Sequence, residues 1–148
     1  MSPRFALHES LYHQLSLAAR LQERRLEHAL RAQGLTLTTW QILVAVGCED
    51  LHQPSEIAAF IRIDRTATSR ALRRMEAAGM IERSFGQSDR RTTEVRLTDT
   101  GNAALMASIP IAETHADHID DLLSRQDRRD IRRLLAQLTP GPPCQDTV

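Results

Sequence analysis

The sequence predicts a mainly α-helical chain carrying one small β-hairpin, an α+β arrangement in which short helices precede the hairpin and helices follow it. Three observations carry this. Apolar residues recur three or four positions apart over most of the chain, which is the period of an amphipathic helix. Only two short runs, "MIERS" and "TTEVRL", alternate as strands do, and "FGQSDRR" between them holds Gly86 where a hairpin loop belongs. Helix-starting and helix-stopping residues punctuate the remainder at close intervals. At 148 residues and 41% apolar composition the chain fits one domain comfortably.

The first helix is expected from Phe5 to about Arg31, with Leu11, Leu15, Ala18, Leu26, Ala29 and Leu30 on its stripe and Gly34 just beyond. Thr36 is placed to cap a second helix carrying Trp40, Leu43, Val44 and Ala45 and ending near Gly47 or Cys48. Pro54 suits the first position of a third, "PSEIAAFI", where a missing N–H costs nothing. Asp64 caps a fourth, "RTATSRALRRMEAAG", which Gly79 ends. After the hairpin, Thr98 and Asp99 open a fifth helix that Pro110 is expected to kink or interrupt before it resumes through Ile119, Leu122 and Leu123. Ser124, with Asp127 at the third helical position, opens a sixth whose stripe is Ile131, Leu134, Leu135 and Leu138. The tail "TPGPPCQDTV" has no periodicity and is expected to be disordered.

Net charge is zero, but the charge is unevenly spread. Between Arg62 and Arg96 nine arginines face five acids, leaving +4 in that window and −4 elsewhere. Such a basic window is the footprint of a polyanion-binding surface. No apolar run approaches the ~20 residues of a membrane span, and "MSPRFALHES" lacks the apolar centre of a signal peptide, so a cytoplasmic protein without membrane contact is expected. Cys48 and Cys144 form no metal spacing and no disulfide framework. No nucleophile paired with a base, no Gly-rich phosphate loop and no ligand set points to an enzyme, a cofactor or a metal.

Two short helices joined by a tight turn, the second rich in hydroxyls and arginine, make a helix-turn-helix. On a wheel, Thr68, Ala71, Leu72, Met75 and Gly79 share one face of the fourth helix and are expected to pack inward. Thr66, Arg70, Arg73 and Ala77 share the other, flanked by Ser69 and Arg74, and are expected to face double-stranded DNA. Arginine pairs with guanine O6 and N7 in a major groove wide enough for a helix, so Ser69, Arg70 and Arg73 are the candidates nearest the bases. The hairpin then acts as a wing whose loop carries Arg90 and Arg91 toward the minor groove, with Asp89 holding an arginine in shape by a charge-assisted bond. The chain is therefore read as a winged helix-turn-helix with N- and C-terminal dimerisation helices. Its parts are a dimerisation helix (1–34), the DNA-binding domain (35–98), C-terminal dimerisation helices (99–139) and a tail (140–148). The apolar stripes of the first and last helices lack partner surface in a lone winged helix, which calls for a homodimer presenting two reading helices one DNA turn apart, ~34 Å. A winged helix kept only for protein contact is the alternative, though it leaves the arginines of both reading elements without a purpose.

These residues resemble the MarR family of bacterial regulators. Its wing motif, D-x-R-x-x-x-V-x-L-T-x-x-G, matches "DRRTTEVRLTDTG" at every fixed position, and "SEIAAFIRIDRTATSRALRRMEAAGMIER" is similar to its third and fourth helices and first wing strand. The likeness runs from about Leu11 to Leu138. It departs at Thr68, where valine is common and where packing is expected to weaken slightly, and at "TLTTW", where a proline often follows the capping threonine. The resemblance implies an obligate homodimer, a pseudo-palindromic operator, a repressor, and a small-molecule cleft between the dimerisation and DNA-binding parts. It makes Asp89 and Arg91 the paired wing residues, and Tyr12 and Trp40 candidates to line a cleft for an aromatic or phenolic effector. Alternatives for what is sensed stay open: a metal at His115 and His118, a pH-sensing cluster among the six histidines, or oxidation of Cys48, whose apolar neighbours are expected to raise its pKa.

Overall fold

The computed structural model describes residues 6–85 and 93–139. Among the described residues, six α-helices and one hairpin follow in order: α1 (Leu11–Leu30), α2 (Leu37–Gly47), α3 (Pro54–Ile61), α4 (Arg65–Ala77), β1 (Ile81–Phe85), β2 (Thr93–Leu97), α5 (Asp99–Asp121) and α6 (Arg125–Leu138). The described residues form two compact units that divide between Ala112 and Glu113.

The expected punctuation is largely realised. The Thr36 hydroxyl accepts the Thr39 N–H, Asp64 accepts the Ala67 N–H, and Ser124 accepts the Asp127 N–H while Asp127 returns a bond to the Ser124 N–H. Each satisfies orphan donors of a first helical turn. Gly79 has φ +69° just past α4, the left-handed stop that favours glycine. At the other end of the reading motif, the turn between α3 and α4 runs through Arg62 at φ 58°.

Three expectations are corrected. The first helix does not run unbroken from Phe5: a 3-10 turn at Leu7–Glu9 is cut off by extended Ser10, and α1 begins at Leu11. Pro110 does not interrupt α5, which continues from Asp99 to Asp121. The proline lies on the exposed side, and so does Met106, the residue whose carbonyl an N–H at position 110 would have bonded. Buried Leu105 and Ser108 and the packed Ile109 hold the turn in place, and the Ser108 hydroxyl bonds the Leu105 carbonyl. The helix ends before Leu122 and Leu123, which form its closing turn through bonds to Ile119 and Asp120.

The core belongs to the first unit. Leu26 and Leu30 of α1, Ile42, Leu43, Ala45 and Val46 of α2, Ile57 and Ile61 of α3, Leu72 and Met75 of α4, Ile81, Val95 and Leu105 are all buried in one cluster. The hairpin is antiparallel in the register Ile81↔Leu97, Arg83↔Val95 and Phe85↔Thr93. Alternation along it buries Ile81 and Val95, fixing the wing's base on the helices. The joint to α5 is close. Thr98 caps α5 by accepting the Gly101 N–H and donates its own hydroxyl proton to the Gly79 carbonyl. A Cβ at Gly101 would overlap the Met80 carbonyl oxygen, so the helix approaches the wing's root only because that residue is glycine.

Candidate nucleic-acid interface

Helix α4 divides as its sequence divides. Thr68, Leu72 and Met75 are buried, and Ala71 packs against the core. Thr66, Arg70, Arg73, Arg74 and Ala77 are exposed, and Ser69 is half-buried. Gly79, expected inside, is exposed, because it lies past the helix end where the left-handed turn leads the chain away. Thr68 is only 1% exposed, and its hydroxyl donates to the Asp64 carbonyl at 3.0 Å, so the core takes in a satisfied polar group.

A groove of about 420 Å³ runs beside this helix, lined among others by Ser55 at the start of α3, Arg65 and Ser69 of α4, Arg83 of β1 and Thr93 of β2. Hydroxyls, guanidinium groups and a helix N-terminus are the donors that phosphate oxygens accept from. Ser55, Arg65 and Thr93 were not singled out by sequence reasoning. The signal available was Arg65 at the first helical position, directly after its cap.

Arg83, counted among the basic residues, is engaged. Its guanidinium grips the Glu76 carboxylate of α4, with Nε at 2.9 Å from Oε2 and a terminal nitrogen on the same oxygen. That bond holds Glu76 below the usual carboxylate range. It also ties the first wing strand to the last turn of the reading helix. The second strand is tied by His52, from the loop between α2 and α3. Its Nδ1 lies 2.9 Å from the Val95 carbonyl and its Nε2 lies 2.8 Å from the Asp50 carboxylate, while the Val95 N–H donates to the His52 carbonyl.

Asp89, Arg90 and Arg91 lie outside the described residues. Of the two effector candidates, Tyr12 is 76% exposed on the first turn of α1, whereas Trp40 of α2 is half-buried against the core. The indole Nε1 of Trp40 and the Oε1 of Gln22 are buried side-chain atoms with no hydrogen-bond partner among the described residues. Cys48 caps α2 and is exposed, which corrects the expected apolar setting: the chain turns outward at the helix end. His115 and His118 sit on α5, and no three His, Cys, Asp or Glu side chains converge among the described residues. No described helix is long and apolar enough to cross a membrane.

A helix-turn-helix with an exposed arginine and hydroxyl face, followed directly by a root-anchored β-hairpin, defines a winged helix built to read DNA. The sequence model of the MarR family matches residues 35–93, which span α2 to the start of β2. It is 28% identical over 144 residues to the transcriptional repressor MprA of Escherichia coli, covering 91% of this chain and 82% of that one. It is 27% identical over 130 residues to the regulator PecS of Dickeya dadantii, covering 84% and 76%. Among solved structures, the repressor CouR bound to a 23-mer DNA duplex superposes with a TM-score of 0.79 at 26% identity, covering 93% of this chain and 99% of that one. CouR of Rhodococcus jostii has also been solved bound to p-coumaroyl-CoA. The regulator BpsR of Bordetella bronchiseptica shares the fold with a TM-score of 0.84 at 21% identity, covering 95% and 100%.

Proposed function

We propose that the chain is a cytoplasmic, ligand-responsive repressor that binds a pseudo-palindromic operator as a homodimer, with 35–98 as its reading domain and 1–34 and 99–139 as its pairing elements. The carrying observation is the split of α4: one face closes the core while Thr66, Arg70, Arg73 and Arg74 stand clear of it, with Ser69 at the edge of the groove. In this reading Ser69, Arg70 and Arg73 approach bases, Thr66 and Arg74 approach phosphates, and Asp89, Arg90 and Arg91 form the wing tip, with Arg91 in the minor groove. The DNA duplex held by CouR, a relative above a quarter identical, supports the assignment.

The test is a titration of the chain's own upstream DNA across a salt series. Arg73→Ala is expected to weaken binding by about 1–3 kcal/mol and to relax base preference at one position. Arg91→Ala is expected to weaken all sequences alike and to lower the salt slope by about one. A wing variant indistinguishable from the parent would remove Arg91 from the interface.

For the effector, Trp40 is the better supported of the two candidates. The buried indole N–H of Trp40, which has no partner among the described residues, costs stability that a bound molecule offering an acceptor would recover, as the oxygens of a hydroxylated aromatic acid do. A thermal-shift series with phenolic acids is expected to raise the melting temperature of the parent and to leave Trp40→Phe, which stays aromatic but is smaller and lacks the N–H, less shifted.

A further inference from the structure

His52 offers two ring nitrogens to two acceptors. The Val95 carbonyl faces Nδ1 at 2.9 Å and the Asp50 carboxylate faces Nε2 at 2.8 Å. Neither partner has a proton to give at neutral pH, so both contacts are hydrogen bonds only when both nitrogens carry one. The neutral ring must point a lone pair at one oxygen or let go of it. The arrangement is built for the imidazolium.

Its position gives that charge something to hold. His52 stands in the loop before α3, ahead of the helix-turn-helix, and Val95 is the buried centre of β2, the strand that returns from the wing. The side chain and the His52 carbonyl together hold both backbone groups of Val95. Asp50 reaches the ring from a left-handed backbone, φ 55°, a conformation aspartate tolerates better than most residues. The Glu76–Arg83 pair is the corresponding tie on β1, and its two groups keep their charges throughout the neutral range.

We propose that His52 is a positioning residue of the wing that works as the imidazolium, clamping β2 to the loop before the reading helices, so that operator affinity falls as the ring loses its proton. This rests on the DNA-binding reading above. The charges around the ring are few. Asp50 favours the proton from within the loop, and Arg96 of β2 opposes it while being held by Glu94 at 3.1 Å. Glu56 at the start of α3 spends its carboxylate on the Gln53 N–H. The balance raises the pKa of His52 above the ordinary histidine value: the Val95 carbonyl contributes most, partial burial and Arg96 pull downward, and Asp50 adds to the rise.

The experiment measures operator binding by the full chain from pH 6 to 9 at fixed salt, with the ring nitrogen shifts of His52 followed by NMR in the free protein. The parent is expected to lose about fivefold in affinity across a transition centred above 6.5, the scale of one charge-assisted bond in a partly solvated setting. His52→Gln, which is always neutral, is expected to bind weakly and without that transition. Asp50→Asn keeps an acceptor and suits the left-handed backbone but removes the charge, so it is expected to move the transition to lower pH. An equal pH profile in the parent and His52→Gln would overturn the proposal, as would a His52 ring that titrates at or below 6.5. A parent that binds no DNA at any pH would instead overturn the reading on which it rests, and the NMR titration would still report whether the clamp exists.

Discussion

Thr68 shows how a residue can look wrong in sequence and be right in place. A hydroxyl on the inner stripe of a helix reads as a packing defect, but the Asp64 carbonyl one turn earlier is within 3.0 Å and accepts its proton. That carbonyl also accepts the Thr68 N–H, so it keeps a partner if the hydroxyl is removed. Thr68→Val is therefore expected to change stability by no more than about 1 kcal/mol in urea unfolding, since lost bond and gained apolar burial nearly offset each other. His52 and Glu76 illustrate the opposite blindness. Both are unremarkable in the sequence, because the groups that act on them, Val95 and Arg83, lie 43 and 7 residues away and meet them only through the hairpin. Their linkage has opposite signs. The raised folded pKa of His52 stabilises the chain fully below about 6.5, the unfolded value, and is lost as pH rises through the folded value. The lowered pKa of Glu76 acts above about 4.5 and is lost as pH falls through the folded value. Urea midpoints of the parent are thus expected to fall from pH 6 to 9 more than those of His52→Gln.

At the scale of elements, caps and apolar periodicity were enough to place all six helices and both strands, because these signals are local. What escaped was what neighbours decide. Ser10 breaks the first helix early, and burial around Leu105, Ser108 and Ile109 carries α5 through a proline that alone would end it. The wing's root has the same character. "LTDTG" reads as a cap and a helix start, but only the fold shows why its last residue is glycine, for a side chain at Gly101 would meet the backbone oxygen of Met80. Backbone cannot swing aside as a side chain can, and the Met80 carbonyl also accepts the Thr98 N–H. Gly101→Ala is expected to cost about 3 kcal/mol or more, at or beyond the upper end of the usual range for overpacking. If its thermal unfolding matched the parent, α5 would not seat on the wing as closely as described.

For the whole molecule, the decisive fact is apolar surface that the described residues leave uncovered. Helix α6 has fourteen residues and none of them is buried; Ile131, Leu134, Leu135 and Leu138 are between 40% and 62% exposed. A helix of that length is marginal in water without packing against something. On α1, Leu11, Leu15, Leu17 and Leu21 are likewise exposed at 40% or more, while Leu26 and Leu30 at its other end close the core. Both stripes were legible in the sequence as periodicity, and a second copy of the chain is the occupant proposed for them above, which two-fold operator reading would also require. Leu134→Glu with Leu138→Glu then has a computable consequence. Both leucines are already about half covered, so burying the rest contributes about 1 kcal/mol each; symmetry removes each contact twice and places four carboxylates in the seam at a further desolvation cost, so the dimer is expected to lose at least ~6 kcal/mol. That is about four orders of magnitude in the dissociation constant, enough to turn a nanomolar dimer into a monomer at micromolar concentration. Light scattering checks the mass, and circular dichroism checks that α1 to α5 remain folded. The same variant should still carry an intact reading helix, so its operator binding is expected to fall to that of a single half-site rather than to vanish. A doubly substituted chain that remained dimeric would place the pairing surface elsewhere than α6.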